Sequence, residues 1–447
     1  MEKEKKSLKD DIKRISEKFF KETENKEILI ISHFDTDGIT SAAIMIQVLK
    51  KLDRRFSVKI LKSLEENFIY SIPKNKIILF LDLASGSLNH IKNAGLKEVF
   101  IIDHHEVIQD IPPEVHMLNP WFNGKEKIST SGLVYLFCKE IEKEDKRLIK
   151  LAVLGMVGDL MEKNIELISD NIINEPDINK KRGLLIYPAT RPINKILEYN
   201  SEPYIPDITG NPSGVIELLR EVGIKPSNGR YKSLIELTDD ETKKLITAII
   251  LRNPQARNKD IIGDIFLIKF YNKLEDAREL SAIINACSRL GRSTTALKFC
   301  LEVASAKKEA EEIHMQYKQH IISALDFVSK IEKIEGKEFI IINAKDEIKD
   351  TLIGTIASIL SNSSIYKEGT IIITMAYYDH NKKIKVSARN VGRNGRNVRE
   401  ILNNVIKEIG GEVGGHEFAA GCIIEKDKEK IFIELLKKEL EIETIKI

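Results

Sequence analysis

Residues 99–105 read Val99-Phe100-Ile101-Ile102-Asp103-His104-His105. Four apolar residues without alternation suit a strand buried on both faces, and the polar triplet falls where that strand emerges at its carboxyl end. In open α/β sheets, ligands bind at that edge. Two earlier stretches repeat the design. Residues 27–32, apolar over 28–31, lead into His33-Phe34-Asp35-Thr36-Asp37-Gly38, and residues 76–81 lead into Asp82. A helical pattern over 39–51 follows the first of them. Strands alternating with helices predict a doubly wound parallel sheet.

Outward from that core, residues 7–25 have the spacing of an amphipathic opening helix. Ser129-Thr130-Ser131-Gly132 has the composition of a helix cap and opens a helix over 133–142. An apolar helix over 148–157 runs into Gly158-Asp159. From about 165 to 275 the pattern loosens into helical fragments between Pro- and Gly-bearing loops, which predicts an inserted helical region. Residues 276–300 are helical, and 302–334 form one long charged connector. Strand patterns return at 339–343, 370–375 and 383–388. A glycine-dense loop over 410–421 and a last helix over 427–440 follow. The expected organisation is a catalytic domain over 1–305 with the insertion, a connector helix over 306–335, and a smaller C-terminal α/β domain over 336–447.

Composition narrows the function classes. The 447 residues carry a formal charge of +2, so any nucleic-acid surface is local. Aromatics make up only 6%, which argues against an extended base-stacking platform. The four cysteines, Cys138, Cys287, Cys300 and Cys422, form no CxxC pair and sit among apolar neighbours. Buried free thiols in a reducing cytoplasm are expected, and a structural zinc site is not. No apolar run approaches the length of a membrane span.

The candidates for chemistry are His33, Asp35, Asp37, Asp82, Asp103, His104, His105 and Asp159. In an extended chain His33, Asp35 and Asp37 share parity and point the same way. Five carboxylates converging without partners repel one another, and their pKa values rise. Bound cations remove the conflict, and no lysine or arginine interrupts these motifs. Oxygen-rich ligation with imidazole suits Mn²⁺ or Mg²⁺. The ligands are too many for one ion, so two ions sharing a carboxylate, about 3.5–4 Å apart, fit better.

These four motifs, HFDTDG, Leu81-Asp82-Leu83, Ile102-Asp103-His104-His105 and Val157-Gly158-Asp159, resemble in order those of the DHH phosphoesterase superfamily. The resemblance implies a binuclear Mn²⁺ site, with Mg²⁺ as a possible substitute. It places His33, Asp35 and Asp82 on one ion, and Asp37, Asp82, His104 and Asp159 on the other. Asp82 then bridges, Asp103 supports, and His105 faces the scissile phosphate.

Toward the C-terminus, Ser387-Ala388-Arg389-Asn390 ends a strand, and Gly414-Gly415-His416 leads into Ala419-Ala420-Gly421. Small residues let backbone amides approach a phosphate, and Arg389 offers a forked donor. This pattern is similar to the DHHA1 domain that accompanies DHH cores, although Glu412 and Val413 interrupt its glycine run. The resemblance implies that the nucleotide is held between the two domains. Asn285-Ala286-Cys287-Ser288-Arg289 and the long connector resemble archaeal RecJ-like proteins. Arg289 and Arg292 are spaced for one helix face. Arg393, Arg396 and Arg399 add a cationic stretch beside Arg389 that suits a strand backbone.

The function this implies is a two-metal exonuclease that releases mononucleotides from single-stranded DNA or RNA, in DNA replication, DNA repair or RNA turnover. Ser387, Arg389, Gly414, Gly415, His416 and Arg289 are the expected substrate contacts. The alternatives are an oligoribonuclease or small-nucleotide phosphodiesterase or phosphatase, and a replisome-associated binding protein whose insertion docks a component such as GINS.

Overall fold

The computed structural model describes residues 7–441 apart from 142–144, 146, 170–171, 173–174, 200–204, 253–260, 364, 379–381 and 393–394. The chain divides into two compact units. One comprises Met1–Ile196, Pro226–Lys244 and Asn258–His314, and the other Leu197–Lys225, Leu245–Arg257 and Met315–Ile447.

The first unit opens with α1 (Leu8–Glu22), capped by the Ser7 side chain. Then come β1 (Ile28–His33), α2 (Thr36–Lys51), β2 (Phe56–Leu61), α3 (Glu66–Tyr70), β3 (Ile77–Leu81), α4 (Leu88–Ala94), β4 (Val99–Ile102) and β5 (Val115–Leu118). These strands form one sheet in the order β2-β1-β3-β4-β5, parallel throughout. The doubly wound α/β fold expected from the sequence is therefore present. Its strand order reverses between β1 and β3, the switch point at which such sheets open a crevice. Every residue of β3 and β4 is buried, as continuous apolar strands require. Phe19 of α1 packs edge-on against Phe100 of β4 and Phe137, tying the opening helix to the sheet.

Helices α5 (Thr130–Lys139) and α6 (Arg147–Gly158) follow. The stretch expected to be helical from about 165 to 275 is only partly so. Its ends form β6 (Ile178–Leu184), β7 (Ile262–Phe270) and β8 (Lys273–Asp276), an antiparallel three-stranded sheet. The apolar, β-branched content of 261–270 accounts for the strand. Between β6 and β7 lie α7 (Ile193–Tyr199), α8 (Pro212–Glu221) and α9 (Asp239–Arg252). After β8 come α10 (Ala277–Arg289), α11 (Ser293–Cys300) and the long α12 (Ala304–Lys330).

The second unit carries β9 (Ile334–Glu335), β10 (Phe339–Asn343), α13 (Asp350–Ser361), β11 (Ile371–Tyr378), β12 (Lys383–Asn390), α14 (Val398–Ile409), β13 (Glu412–His416), β14 (Ala419–Glu425) and α15 (Glu429–Glu441). Its sheet runs β13-β14-β12-β11-β10-β9, and β10 with β11 is its parallel pair. The glycine-dense segment expected as a loop is thus a hairpin. Gly415 has φ +112°, and a Cβ there would lie 2.4 Å from the Ala419 carbonyl oxygen. Glycine at that position permits tight strand pairing. All four cysteines are buried and unpaired. Among the described residues no helix is long and apolar enough to cross a membrane.

Candidate functional site

The C-terminal ends of β1, β3 and β4 supply the cluster. His33 closes β1, Asp82 follows β3, and Asp103-His104-His105 follow β4. The chain does not stay extended after His33. Asp35 caps α2, accepting the Gly38 amide at 3.0 Å, and Asp37 lies in the first helical turn. The parity expected of His33, Asp35 and Asp37 therefore fails, because a helix start breaks the two-residue period. Gly38 is required by this turn: a Cβ there would lie 2.4 Å from the His33 carbonyl oxygen.

The side chains nonetheless gather into three groups that could hold an ion: His33, Asp35 and Asp82; Asp37, His104 and Asp159; and Asp82, His104 and His105. Within each, one donor atom per residue lies within 4.8 Å of the others. His33 Nδ1 is 2.9 Å from Asp35 Oδ2 and 3.4 Å from Asp82 Oδ2. His104 Nε2 is 3.1 Å from Asp159 Oδ2 and 3.5 Å from Asp82 Oδ1. Asp159 reaches the cluster from the end of α6, where Gly158 lets the helix pack against α2. A Cβ on Gly158 would sit 2.8 Å from Thr36 Cβ.

The five carboxylates are not all unpartnered. Asp37 accepts the Ser129 hydroxyl at 2.8 Å and the amides of Thr130 and Ser131 at 2.7 and 2.9 Å, at the N-terminus of α5. Amides at a helix start favour an anion. Asp103 accepts the Ser85 amide and hydroxyl at 3.1 and 2.6 Å and the amides of His104 and His105 at 2.8 and 3.3 Å. It also accepts His105 Nδ1 at 2.7 Å. Asp82 differs. It is 2% exposed with φ +60°, and its Oδ1 accepts the Thr130 hydroxyl at 3.1 Å. Its Oδ2 is buried without a hydrogen-bond partner.

The charge balance follows. Burial, then the neighbouring Asp35 and Asp37, push the Asp82 carboxyl well above the ordinary range. Burial with the same two neighbours raises Asp159 to about 8. Burial also works against Asp103, but the hydrogen bond and charge of His105 outweigh it and hold that carboxyl at about 2. Burial opposes protonation of His105, and Asp103 overcomes it, raising the imidazole to about 9. An orphaned, buried carboxylate oxygen amid oxygen and imidazole donors fits a hard divalent ion such as Mn²⁺ or Mg²⁺.

In the second unit, Ser387 and Gly414 both face Gly421 across β14, while Arg389 and His416 both face Ala419. Arg389 Nε donates to Ser358 Oγ at 3.0 Å, and a Cβ on Gly354 would approach both Ser387 Oγ and Arg389 Nη2. Ser387 is buried, whereas Gly414, Gly415 and His416 are exposed. Arg289 ends α10 and Arg292 caps α11, with Gly291 at φ +77° between them, so the two do not share a helix face. The Arg396 guanidinium donates to the carbonyls of Glu439 and Leu440 at the end of α15. That ties it to the fold and away from the cationic stretch expected there. Arg399 is exposed, and Arg393 lies outside the described residues.

Several partners of the cluster were not expected from sequence: Ser85, Asn119, Ser129, Thr130, Ser131 and Asn285. Of these, the cap-like 129–132 stretch carried a signal that pointed to a helix start, and Asn285 stood in the 285–289 stretch read only for its resemblance and for Arg289. Asn285 Oδ1 accepts the Thr36 amide at 3.1 Å, which fixes the backbone between Asp35 and Asp37.

Three family models match the chain: the DHH family N-terminal domain over residues 27–158, the DHH-CID domain over 187–259 and the DHHA1 domain over 327–441. The second of these extends the resemblance into the insertion. An uncharacterized protein of Methanocaldococcus jannaschii is 30% identical over 426 residues, covering 91% of each chain. RecJ of Thermus thermophilus, solved in complex with Mn²⁺, matches 99% of this chain at TM-score 0.61 and 16% identity. The present chain spans 56% of that protein. CDC45 of Entamoeba histolytica matches at TM-score 0.64 and 12% identity, over 96% of this chain and 99% of its own. The chain belongs to the DHH/DHHA1 phosphoesterase superfamily.

Proposed function

We propose that this protein is a metal-dependent exonuclease that hydrolyses phosphodiester bonds of single-stranded DNA or RNA to mononucleotides. The observation that carries the reading is Asp82: a buried carboxylate with one oxygen that receives no hydrogen bond, shared by two of the three donor groups. His33, Asp35 and Asp82 would hold one ion, and Asp37, Asp82, His104 and Asp159 the other, with Mn²⁺ the favoured metal and Mg²⁺ a substitute. Bound there, two divalent ions supply water activation and neutralise charge developing on the phosphoryl group. His105 is half exposed, with its side chain at 54%, while its Nδ1 is bound to Asp103. This leaves Nε2 to donate to a phosphate oxygen or to the leaving oxygen. Arg389, Ser387 and the amides of Gly414 and Gly415 suit a nucleotide phosphate, with His416 and Arg289 as further donors. The reaction is assigned to the cytoplasm, in replication, repair or RNA turnover.

End-labelled single strands incubated with Mn²⁺, with and without chelator, test this. Metal-dependent release of labelled mononucleotide is expected. Internal cuts or cleavage in chelator would overturn it. Turnover that collapses beyond a few nucleotides would assign the same site to an oligoribonuclease or small-nucleotide phosphodiesterase.

A second reading, a replisome-associated binding protein, draws on the full-length fold likeness to CDC45. The insertion would dock a component such as GINS. Retention of that partner by the intact chain, and its loss on deleting the insertion, would favour this reading.

A further inference from the structure

Asn119 follows β5 and is 1% exposed, and the site as read above does not use it. Its side chain is satisfied at both ends. Nδ2 donates to the His105 carbonyl oxygen at 2.9 Å and to Ser85 Oγ at 3.2 Å, while Oδ1 accepts the Trp121 amide at 3.0 Å. Ser85 Oγ donates in turn to Asp103 Oδ2, and Asp103 Oδ1 receives His105 Nδ1. The hydrogen bonds therefore close a ring: Asn119 to Ser85, Ser85 to Asp103, Asp103 to the His105 ring, and the His105 backbone back to Asn119. Three segments contribute, the turns after β3, β4 and β5.

We propose that Asn119 and Ser85 are positioning residues that fix the orientation of the His105 ring. The inference rests on the role given above to His105. Asn119 holds the backbone from which the imidazole projects. Ser85 holds the carboxylate that takes Nδ1–H. With both ends of the side chain fixed, Nε2 points one way. Outer-shell partners of this kind commonly set ring orientation, and their loss costs roughly 10–100-fold in activity. The Asn119 amide is well suited to the task. Its ring contacts are donations to a carbonyl and a hydroxyl, which an aspartate cannot make. It is also buried, so water does not replace it on deletion.

The test uses the full chain with ¹⁵N-labelled histidine. In the wild type, the His105 resonances, assigned by their loss in His105→Gln, carry a proton on Nδ1 and a downfield hydrogen-bonded signal. In Asn119→Ala that signal broadens or shifts, and kcat on single strands falls 10–100-fold with KM within twofold. Ser85→Ala gives the same pattern more weakly, and Ser85→Thr, which keeps the hydroxyl, restores it. Should Asn119→Ala fold poorly, measured by melting and by the fluorescence of Trp121, the Ser85 pair decides alone. An unchanged Nδ1 signal in a folded variant overturns the proposal. So does a loss of turnover that merely tracks the folded fraction. A wild type that shows the ring signature and its loss in Asn119→Ala, yet cleaves no strand, upholds the positioning and rejects the nuclease.

Discussion

The turns after β3 and β4 each begin with a buried aspartate at the end of a buried strand. Asp82 and Asp103 are 2% and 1% exposed. Asp103 receives donors from Ser85, His104 and His105, and its carboxyl is held at about 2. Asp82 receives the Thr130 hydroxyl on one oxygen and no hydrogen bond on the other, which has only His33 Nδ1 at 3.4 Å, and its carboxyl is pushed well up by burial and by Asp35 and Asp37. Strand position and burial are the same, and the donors differ. A carboxylate saturated by hydrogen bonds orients its neighbours, whereas one left orphaned is held open for a cation.

The strongest way to break this contrast is Asp82→Asn. Activity should fall by more than the roughly 10–100-fold typical of outer-shell changes. In chelator, at a pH above the raised Asp82 value, the same variant should melt above the wild type, because a carboxyl forced to ionise among anions is replaced by a neutral amide. In Mn²⁺ it should melt below. A variant that melts lower in both conditions would show that Asp82 is partnered after all.

Asp103→Asn should do the reverse in chelator. Breaking one member of a buried, satisfied network costs about 3–5 kcal/mol. Its turnover should fall roughly 10–100-fold, through loss of His105 orientation. Equal melting of the two variants in chelator would erase the distinction.

Titration gives a third test. Asp82 and Asp159 have folded pKa values raised above the unfolded carboxylate, Asp159 to about 8. Their stabilisation is complete below the unfolded pKa and is lost as pH rises through the folded value. His105, raised to about 9, acts in the same direction at higher pH. Asp103 has the opposite sign, with its contribution lost as pH falls through about 2. In chelator the melting temperature should therefore drop between pH 5 and about 9. With Mn²⁺ the slope over that range should flatten or reverse, since metal binding requires deprotonated ligands. Parallel curves in the two conditions would mean that the ions do not meet these carboxylates.

What the sequence shows of this contrast is uneven. β3 and β4 are legible because a strand buried on both faces leaves a continuous apolar run, and the acidic and imidazole residues after them stand out by type. The edge strands β2 and β5 are not, since Lys59 and His116 interrupt their apolar pattern. The hairpin over 412–425 hides behind its glycines, which read as a turn until the close approach of Gly415 to Ala419 is seen. Within the site, Asp82 and Asp103 look alike in sequence. Their difference lies in Ser85 and Thr130, neutral residues whose local reading is a cap or a turn. Ser85 and Asp103 are 18 positions apart, and Thr130 and Asp82 are 48. Only tertiary structure decides which carboxylate each one meets.

The smallest effect is expected at Asn285, and it sharpens the contrast within a single turn. Asn285 holds the Thr36 amide, between Asp35 and Asp37. Removing its carbonyl in Asn285→Ala leaves a buried amide unpaired, at a cost of about 1–3 kcal/mol. The two flanking carboxylates should not suffer equally. Asp37 keeps its three donors from the start of α5, whatever happens at Thr36. Asp35 keeps the Gly38 amide and His33, both set by the same turn that Asn285 steadies. The ion held by His33, Asp35 and Asp82 should therefore weaken first. Mn²⁺ titration followed by calorimetry should resolve two binding steps in the wild type and a selective, few-fold weakening of one in Asn285→Ala. Pairing the variant with Asp35→Asn or Asp37→Asn identifies the step. The loss should vanish in the Asp35 background and persist in the Asp37 background, because coupling is confined to groups that share a support.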